Sequence, residues 1–174
     1  NIDFDWALSQ LKVLKSASTQ LIANDALELF LLINDNTIAD STQTALKLFA
    51  KADFLVYQNK KEEALQQFQA ILKDHQSEDD VIADVTLLRL GQLYESLRDI
   101  PKALESYQNI IDNFPESIYR DEALYFSAEI YHKNLQLPDK AKALYEALLF
   151  NHQDSIYFVD ARKKYRLLRG DSNL

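Results

Sequence analysis

The stretch "SIYRDEALYFSAEIY" at 117–131 has a counterpart in "SIYFVDARKKYRLL" at 155–168. In both copies Ser-Ile-Tyr is followed by two residues, an acid and an alanine, and the copies lie 38 residues apart. An internal period of this size is typical of arrays in which each repeat is one supersecondary unit that stacks on its neighbours. The chain is therefore predicted to be built from stacked units of similar structure.

The composition indicates helices throughout. Leu, Ala, Glu, Lys and Gln, which favour helices, are abundant, and the 174 residues include only two glycines and three prolines. Strand-rich folds normally need more turn-forming residues than that. A hydrophobic content of 47% is enough for a packed core and argues against disorder. We expect an all-α fold.

Three segments share one helical pattern of apolar residues. "IPKALESYQNIIDNFPES" at 100–117 has apolar side chains at steps of three and four, and 61–77 and 139–155 repeat this frame. Each segment is preceded by another helical pattern, so every unit is a helix A, a tight turn and a helix B. The predicted organisation is irregular N-terminal helices at 1–40, repeat units at 44–77, 84–117 and 121–154, and a C-terminal capping helix and tail at 155–174.

About nine helices follow from these patterns. We expect them at 3–17, 22–34, 40–58, 60–74, 79–97, 100–113, 118–135, 138–151 and 155–169. The stretch "NDNTIADS" at 34–41 is expected to be a loop. Ser117 and Ser155 are candidate N-caps of the helices that follow them.

A seam of small residues is expected between the two helices of each unit. Helices joined by a short turn approach closely only where the side chains at the contact are small. We expect three facing pairs: Ala52 with Ala64, Gly91 with Ala103, and Ala128 with Ala141. The rings of Phe68, Tyr107 and Tyr145 are then expected to fill the space between one unit and the next.

The unit at 84–117 resembles the tetratricopeptide repeat family. The residues in the family's signature places are Leu87, Leu90, Gly91, Tyr94, Ala103, Tyr107 and Pro115. The resemblance implies one right-handed α-solenoid of antiparallel helix pairs over 1–174. The unit at 121–153 departs from the pattern by one extra residue, which we place in its turn near Leu137 and Pro138.

The link between units is similar to a bacterial envelope branch of that family. "FPESIYRDEA" and "HQDSIYFVDA" connect one helix B to the next helix A. The branch includes the Tol–Pal accessory proteins and the lipoprotein subunit of the outer-membrane assembly machine. This resemblance favours a periplasmic or envelope location over a cytoplasmic one, and the compartment stays open.

No stretch of the sequence predicts catalysis. Glycine-rich phosphate loops, nucleophile elbows and the zinc-protease signature are absent. The chain has no cysteine, and its three histidines are not spaced to share one metal ion. We therefore expect a non-enzyme with no cofactor and no metal.

The charge and the hydropathy argue against nucleic-acid binding and against a membrane span. A net charge of −8 argues against a general nucleic-acid surface. No apolar run reaches the length of a membrane span. The resemblance to the tetratricopeptide repeat family implies a protein or peptide partner.

The resemblance also implies a binding groove, because helix A segments line the concave face of such arrays. Its positions in this chain are Phe49, Asp53, Val56, Leu88, Gln92, Glu95, Tyr125, Glu129, His132 and Lys163. These side chains are largely aromatic, apolar or acidic, so the groove is predicted to select a segment that carries Lys or Arg. The alternative is a structural assembly subunit that uses its ends and outer faces for self-association or for packing in a larger complex. The oligomeric state is open.

The last helix has a charge of its own. Residues 161–170 hold five of the 19 basic residues and none of the 27 acidic ones. Two interpretations stay open: a helix that docks an acidic partner or a membrane surface, and a solvated helix that pairs with the acidic array.

Overall fold

The computed structural model describes residues 3–16, 19–39, 43–75 and 82–171, and every regular element within these ranges is helical. The helices are α1 (Phe4–Leu14), α2 (Gln20–Ala39), α3 (Thr44–Tyr57), α4 (Lys61–Asp74), α5 (Ala83–Ser96), α6 (Ile100–Asn113), α7 (Arg120–Glu129), α8 (Pro138–Asn151) and α9 (Phe158–Arg169). Helix α7 continues directly into a π-helical turn, Ile130–Asn134. The predicted all-α fold of about nine helices is confirmed for these ranges.

The chain divides into two compact units, Asn1–Thr86 and Leu87–Leu174. In the first unit α1 packs on α2 and α3 packs on α4. In the second unit α6 packs on α7, α7 on α8, and α8 on α9. In each of these pairs, helices that follow one another in the chain are neighbours, as a helix–turn–helix array requires. One core cluster of the second unit consists of Leu124, Ala128, Ala141, Tyr145, Leu148 and Ala161.

Each helix A ends in the same backbone turn. Asn59, Arg98 and Gln136, which lie between the two helices of the three units, all have positive φ angles of 54° to 63°. A left-handed residue after a helix turns the chain back and lets the following N–H groups reach the last carbonyls of the helix. Glycine is the usual residue at such a position, and Arg98 and Gln136 give no such signal in the sequence.

The extra residue of the last repeat lies inside the helix and not in the turn. The N–H of Lys60 donates to the carbonyl of Leu55, five residues earlier, whereas that of Leu137 donates to Tyr131, six residues earlier. The additional residue is absorbed by the π-helical turn Ile130–Asn134. The predicted insertion near Leu137 and Pro138 was therefore wrong in position, because a π turn accepts one more residue without changing the turn that follows.

The small residues of the seam are buried, and the ring of Tyr107 packs directly on Gly91. Ala52, Ala64 and Ala103 are each 0% exposed. A Cβ added to Gly91 would lie 2.7 Å from Cδ1 and Cζ of Tyr107, so Gly91 faces this ring, which lies one helical turn after Ala103 on α6. Helix α5 therefore lacks a side chain at 91 because the Tyr107 ring occupies that space.

The three aromatic rings of the helix B segments are fully buried. Phe68, Tyr107 and Tyr145 are each 0% exposed. The ring of Tyr107 lies 5.8 Å from that of Phe126 on α7, so Tyr107 does fill the space towards the next repeat. The predicted packing role is confirmed for this ring.

Two local expectations at helix ends were wrong. Helix α2 continues to Ala39, so most of the expected loop at 34–41 is helical, whereas 40–42 lie outside the described ranges. Its polar side chains bond inside the helix: Asn36 Nδ2 donates to the carbonyl of Leu32, and Thr37 Oγ1 donates to that of Ile33. A polar side chain inside a helix commonly bonds to the carbonyl four residues earlier in this way, so these donors are satisfied although the segment is helical.

Ser117 and Ser155 are not the N-caps themselves. Their Oγ atoms accept from the N–H groups of Tyr119 and Tyr157, two residues later, at 3.0 and 3.1 Å. The N-cap positions belong to Tyr119 and Tyr157. The two serines thus form matching turns that lead into α7 and α9, which explains why Ser-Ile-Tyr recurs.

Candidate functional site

Helices α7 and α9 each begin after the same serine turn, and side chains of the two helices meet in the second unit. Ala123 on α7 and Ala161 on α9 are both 0% exposed and seat the first turn of each helix against its neighbours. This packing places Tyr125 of α7 beside Asp160 and Lys164 of α9. The sequence separation of these contacts is 35 and 39 residues, about one repeat.

Lys164 lies at the centre of a polar cluster of four residues, which we call the α7–α9 cluster: Tyr125, Glu129, Asp160 and Lys164. Lys164 Nζ lies 2.7 Å from the hydroxyl of Tyr125, 2.6 Å from Glu129 Oε1 and 2.5 Å from Asp160 Oδ2. The Tyr125 hydroxyl also donates to Asp160 Oδ2 at 2.5 Å. The three ammonium donors thus have three acceptors.

Other side chains support the cluster from the core. The hydroxyl of Tyr145 and the ammonium of Lys133 both contact Glu129. The ring of Tyr157 stacks on that of Tyr125, with centroids 4.4 Å apart. The hydroxyl of Tyr157 donates to Glu122 Oε1 at 3.1 Å. The aromatic pair is therefore held at both ends by carboxylates.

The pKa values of the cluster follow from these contacts. Burial alone would raise the pKa of Glu129, but hydrogen bonds from Lys133, Lys164 and Tyr145 outweigh it and hold this pKa below its usual value. The pKa of Asp160 is likewise lowered, because hydrogen bonds from Lys164 and Tyr125 outweigh its burial. The pKa of Lys164 is raised, since its burial is outweighed by the carboxylates of Asp160 and Glu129. At neutral pH Glu129 and Asp160 are therefore ionised and Lys164 is protonated, while the Tyr125 hydroxyl, whose pKa is raised by burial and by its bond to Asp160, stays neutral.

In the preceding repeat, the tyrosine equivalent to Tyr145 meets a carboxylate whose pKa is shifted in the other direction. Tyr107, the counterpart of Tyr145, donates to Glu95 Oε1 at 2.6 Å. Burial raises the pKa of Glu95; the bond from Tyr107 lowers it, and the nearby charge of Glu129 raises it further, with a net increase. Two equivalent tyrosines therefore meet carboxylates that differ in their preference for a proton.

The predicted groove residues divide by burial. Phe49 and Leu88 are 3% and 0% exposed, and Phe49 packs on Phe68 with centroids 5.5 Å apart. These two side chains are part of the core and offer a partner no surface. Asp53 and Val56 on α3 are half-buried and belong to the first compact unit.

The remaining predicted residues lie in the second unit. Gln92 Oε1 accepts from Arg89, and Glu95 accepts from Tyr107. Tyr125 and Glu129 are in the α7–α9 cluster. The predicted residues not yet placed are His132, which is half-buried on the π-helical turn, and Lys163, which is exposed on α9.

The sequence-based prediction missed Lys164 and Asp160. The repeat register gave Lys163 the place in α9 that Tyr125 has in α7, whereas its neighbour Lys164 makes the contacts with Tyr125. Lys164 is the counterpart of Phe126, whose ring meets Tyr107 of the previous helix. This position of helix A faces the preceding helices, so a lysine there reaches back into α7.

The α7–α9 cluster consists of charged groups that contact one another, with two stacked aromatic rings beside them. Within the described ranges, His, Asp and Glu side chains form no group of three that could hold a metal ion. None of the helices in these ranges combines the length and hydropathy needed to span a bilayer. Ionised groups that already have partners, with stacked aromatic rings beside them, form a rigid polar and aromatic surface.

Comparisons with known proteins agree with this fold. Residues 86–117 match the family model described as tetratricopeptide repeat. The crystal structure of a tetratricopeptide repeat protein from Parabacteroides merdae ATCC 43184 at 2.39 Å resolution is similar, with a TM-score of 0.60 and 18% sequence identity. The match covers 97% of this chain and 60% of that one, so this chain spans about 60% of the length of the matched structure. A comparison with curated proteins finds no match.

Proposed function

We propose that this chain is a non-catalytic protein-interaction scaffold that binds a peptide or protein segment on the surface formed by α7 and α9. Helix-pair repeats of this kind generally build extended binding surfaces. The observation that carries the proposal is the stacked pair of Tyr125 and Tyr157, which is half-buried and fixed by the charged groups around it. Rigid aromatic side chains commonly supply most of the binding energy at an interface.

The partner that fits this surface carries Lys or Arg. The side chain of Glu129 is only 15% exposed and already contacts two lysines, so it is a poor point of attachment for a further cation. The side chain of Asp160 is 49% exposed and lies at the open edge of the cluster. We propose Asp160 as the acid that meets the partner's cation and Tyr125 as the apolar contact beside it.

Selection and mapping test this proposal. A displayed library of random peptides is selected against the full chain, and the amide resonances that shift on binding a selected peptide are mapped by NMR. We expect the shifts to centre on Tyr125, Asp160 and Lys164. Shifts confined to α1–α4, or peptides without enrichment in Lys and Arg, would contradict the proposal.

A second candidate function is supported by the first compact unit. Its helices α1 and α2 expose large apolar side chains, including Trp6 at 65%, Val13 at 69% and Ile38 at 77%. Exposed apolar faces of this kind mark association surfaces. The alternative proposal is a structural assembly subunit, in the envelope setting that the interunit links favour. Concentration-dependent light scattering that Trp6→Ser and Val13→Ser abolish would support it over the scaffold.

A further inference from the structure

Helix α9 repeats the backbone of α7 but changes the residues of its seam. The matching Ser turns and the matching buried alanines, Ala123 and Ala161, fix the register at 38 residues. In this register Leu124 and Ala128 of α7 correspond to Arg162 and Arg166 of α9. Leu124 and Ala128 lie in the core cluster against α8. Helix α7 packs this surface against α8. On α9 the equivalent surface is lined by guanidinium groups.

This surface forms an open groove of about 430 Å³ between α8 and α9. Its lining residues are Leu149, Phe158, Arg162, Tyr165, Arg166 and Arg169. Apolar side chains and three arginines share the groove, while the hydroxyl of Tyr165 is anchored to Glu146 at 2.8 Å. A groove of this composition suits a ligand with both apolar and anionic groups, because guanidinium forks pair with carboxylates.

The chain itself already places one carboxylate beside this groove. Gly170 adopts φ of +86° and caps α9, and the N–H of Asp171 then donates to the carbonyl of Arg166. This turn brings the Asp171 carboxylate to Arg169, with contacts of 2.9 and 3.1 Å to Nε, and within 3.6 Å of Arg166. The arginines are therefore arranged to hold a carboxylate, and Asp171 shows how one sits there.

We infer that the groove binds an acidic amphipathic helix of another protein. The apolar side chains of that helix pack on Leu149, Phe158 and Tyr165, and its carboxylates pair with the arginines. The occupant is a helix because helix α8 covers the equivalent surface of α7. It is acidic because three of the six residues that line the groove are arginines. This site is separate from the α7–α9 cluster and does not depend on the proposed function.

Fluorescence anisotropy with the full chain tests the inference. The probes are labelled peptides of about 16 residues, long enough to form a helix, with Leu at helical spacing and Glu beside it. Matched peptides carry Lys in place of Glu, or Ser in place of Leu. We expect only the acidic Leu peptides to bind, with Arg162→Ala and Arg166→Ala each weakening them about tenfold. Lys140→Ala, which removes an exposed cation at the start of α8, should change the affinity less than twofold.

Asp171→Asn supplies a change in the opposite direction. If Asp171 occupies the place of a ligand carboxylate, its removal should strengthen binding by about threefold, since a larger fraction of the protein is then open to the ligand. The inference is overturned if no acidic peptide binds, if Arg166→Ala binds like the parent, or if Lys140→Ala loses as much affinity as Arg162→Ala. It is also overturned if light scattering shows a dimer that Arg166→Ala dissociates, because the occupant is then a second copy of this chain.

Discussion

Lys164 Nζ lies 2.6 Å from Glu129 Oε1, and this contact joins α9 to α7 across 35 residues of sequence. The two side chains are only 19% and 15% exposed, so the pair is largely removed from water. Breaking such a pair by removing one partner is costly, because the other charge stays where it is and loses its compensation. The contact therefore stabilises the last helix of the described chain as well as shaping the proposed surface.

Lys164→Ala should lower the free energy of unfolding by about 1–3 kcal/mol, because Glu129 and Asp160 lose their shared cation. Lys163→Ala removes the neighbouring exposed lysine and should change the free energy of unfolding by less than about 0.5 kcal/mol. Urea denaturation of both variants measures the difference. Equal stability of the two variants would show that the cluster contributes nothing to folding.

Glu95→Gln and Glu129→Gln should have opposite effects on stability at pH 7. The raised pKa of Glu95 means that its charged form is disfavoured in the folded chain, so a neutral Gln that still accepts from Tyr107 should preserve or increase the melting temperature. The lowered pKa of Glu129 means that its charge stabilises the fold, so Glu129→Gln should decrease the melting temperature. Thermal melts of the two variants compare them directly, and a decrease of equal size in both would be the contradicting result.

Acid should weaken the α7–α9 cluster. Glu129 and Asp160 have folded-state pKa values below their usual values, so the stability that they contribute is present above the unfolded pKa values of about 4 and is lost as the pH falls through the folded ones. The parent should therefore lose stability below about pH 5 more steeply than the double variant Glu129→Gln with Asp160→Asn. Chemical denaturation as a function of pH measures both curves, and parallel curves would refute the assignment.

Gly91→Leu should destabilise the chain by about 1–3 kcal/mol, because the new side chain would overlap the buried ring of Tyr107. Ala143→Leu, at an exposed position of α8, controls for the change in residue type. Thermal melting compares the two variants. A Gly91→Leu variant that melts with the parent would mean that the contact between α5 and α6 is looser than described.

The sequence was sufficient for the helices because each apolar position of the repeat marks a buried face. The frame of Ala64, Ala103 and Ala141 recurs in α4, α6 and α8, and the ends of these three helices agree with the prediction to within one residue. The left-handed turns at Arg98 and Gln136 left no trace in the sequence, since neither residue is one that favours this conformation. The π-helical turn also could not be read, because an extra residue fits a turn or a helix equally well.

The site was harder to predict than the fold. The repeat register assigns each residue to a position on its helix, but it does not say which way the side chain points or which residues it contacts. Phe49 holds a groove position by register, yet its ring turns into the core against Phe68. Lys163 and Lys164 are adjacent and chemically identical, and only the packing of α9 on the preceding helices selects Lys164 for the cluster. Tyr125 was predicted as a groove position on helix A, and its ring is half-buried there, but its partner Asp160 was not predicted.

The central claim is that the surface around Tyr125 binds the partner, and the affinity of a selected peptide for three proteins tests it most directly. Calorimetry would compare the parent with Tyr125→Ala and with Tyr57→Ala, which removes a tyrosine that is 86% exposed on α3. We predict that Tyr125→Ala weakens binding by at least about 30-fold, the effect of losing an aromatic anchor, and that Tyr57→Ala binds like the parent. Unchanged affinity of Tyr125→Ala, or an equal loss in Tyr57→Ala, would contradict the account.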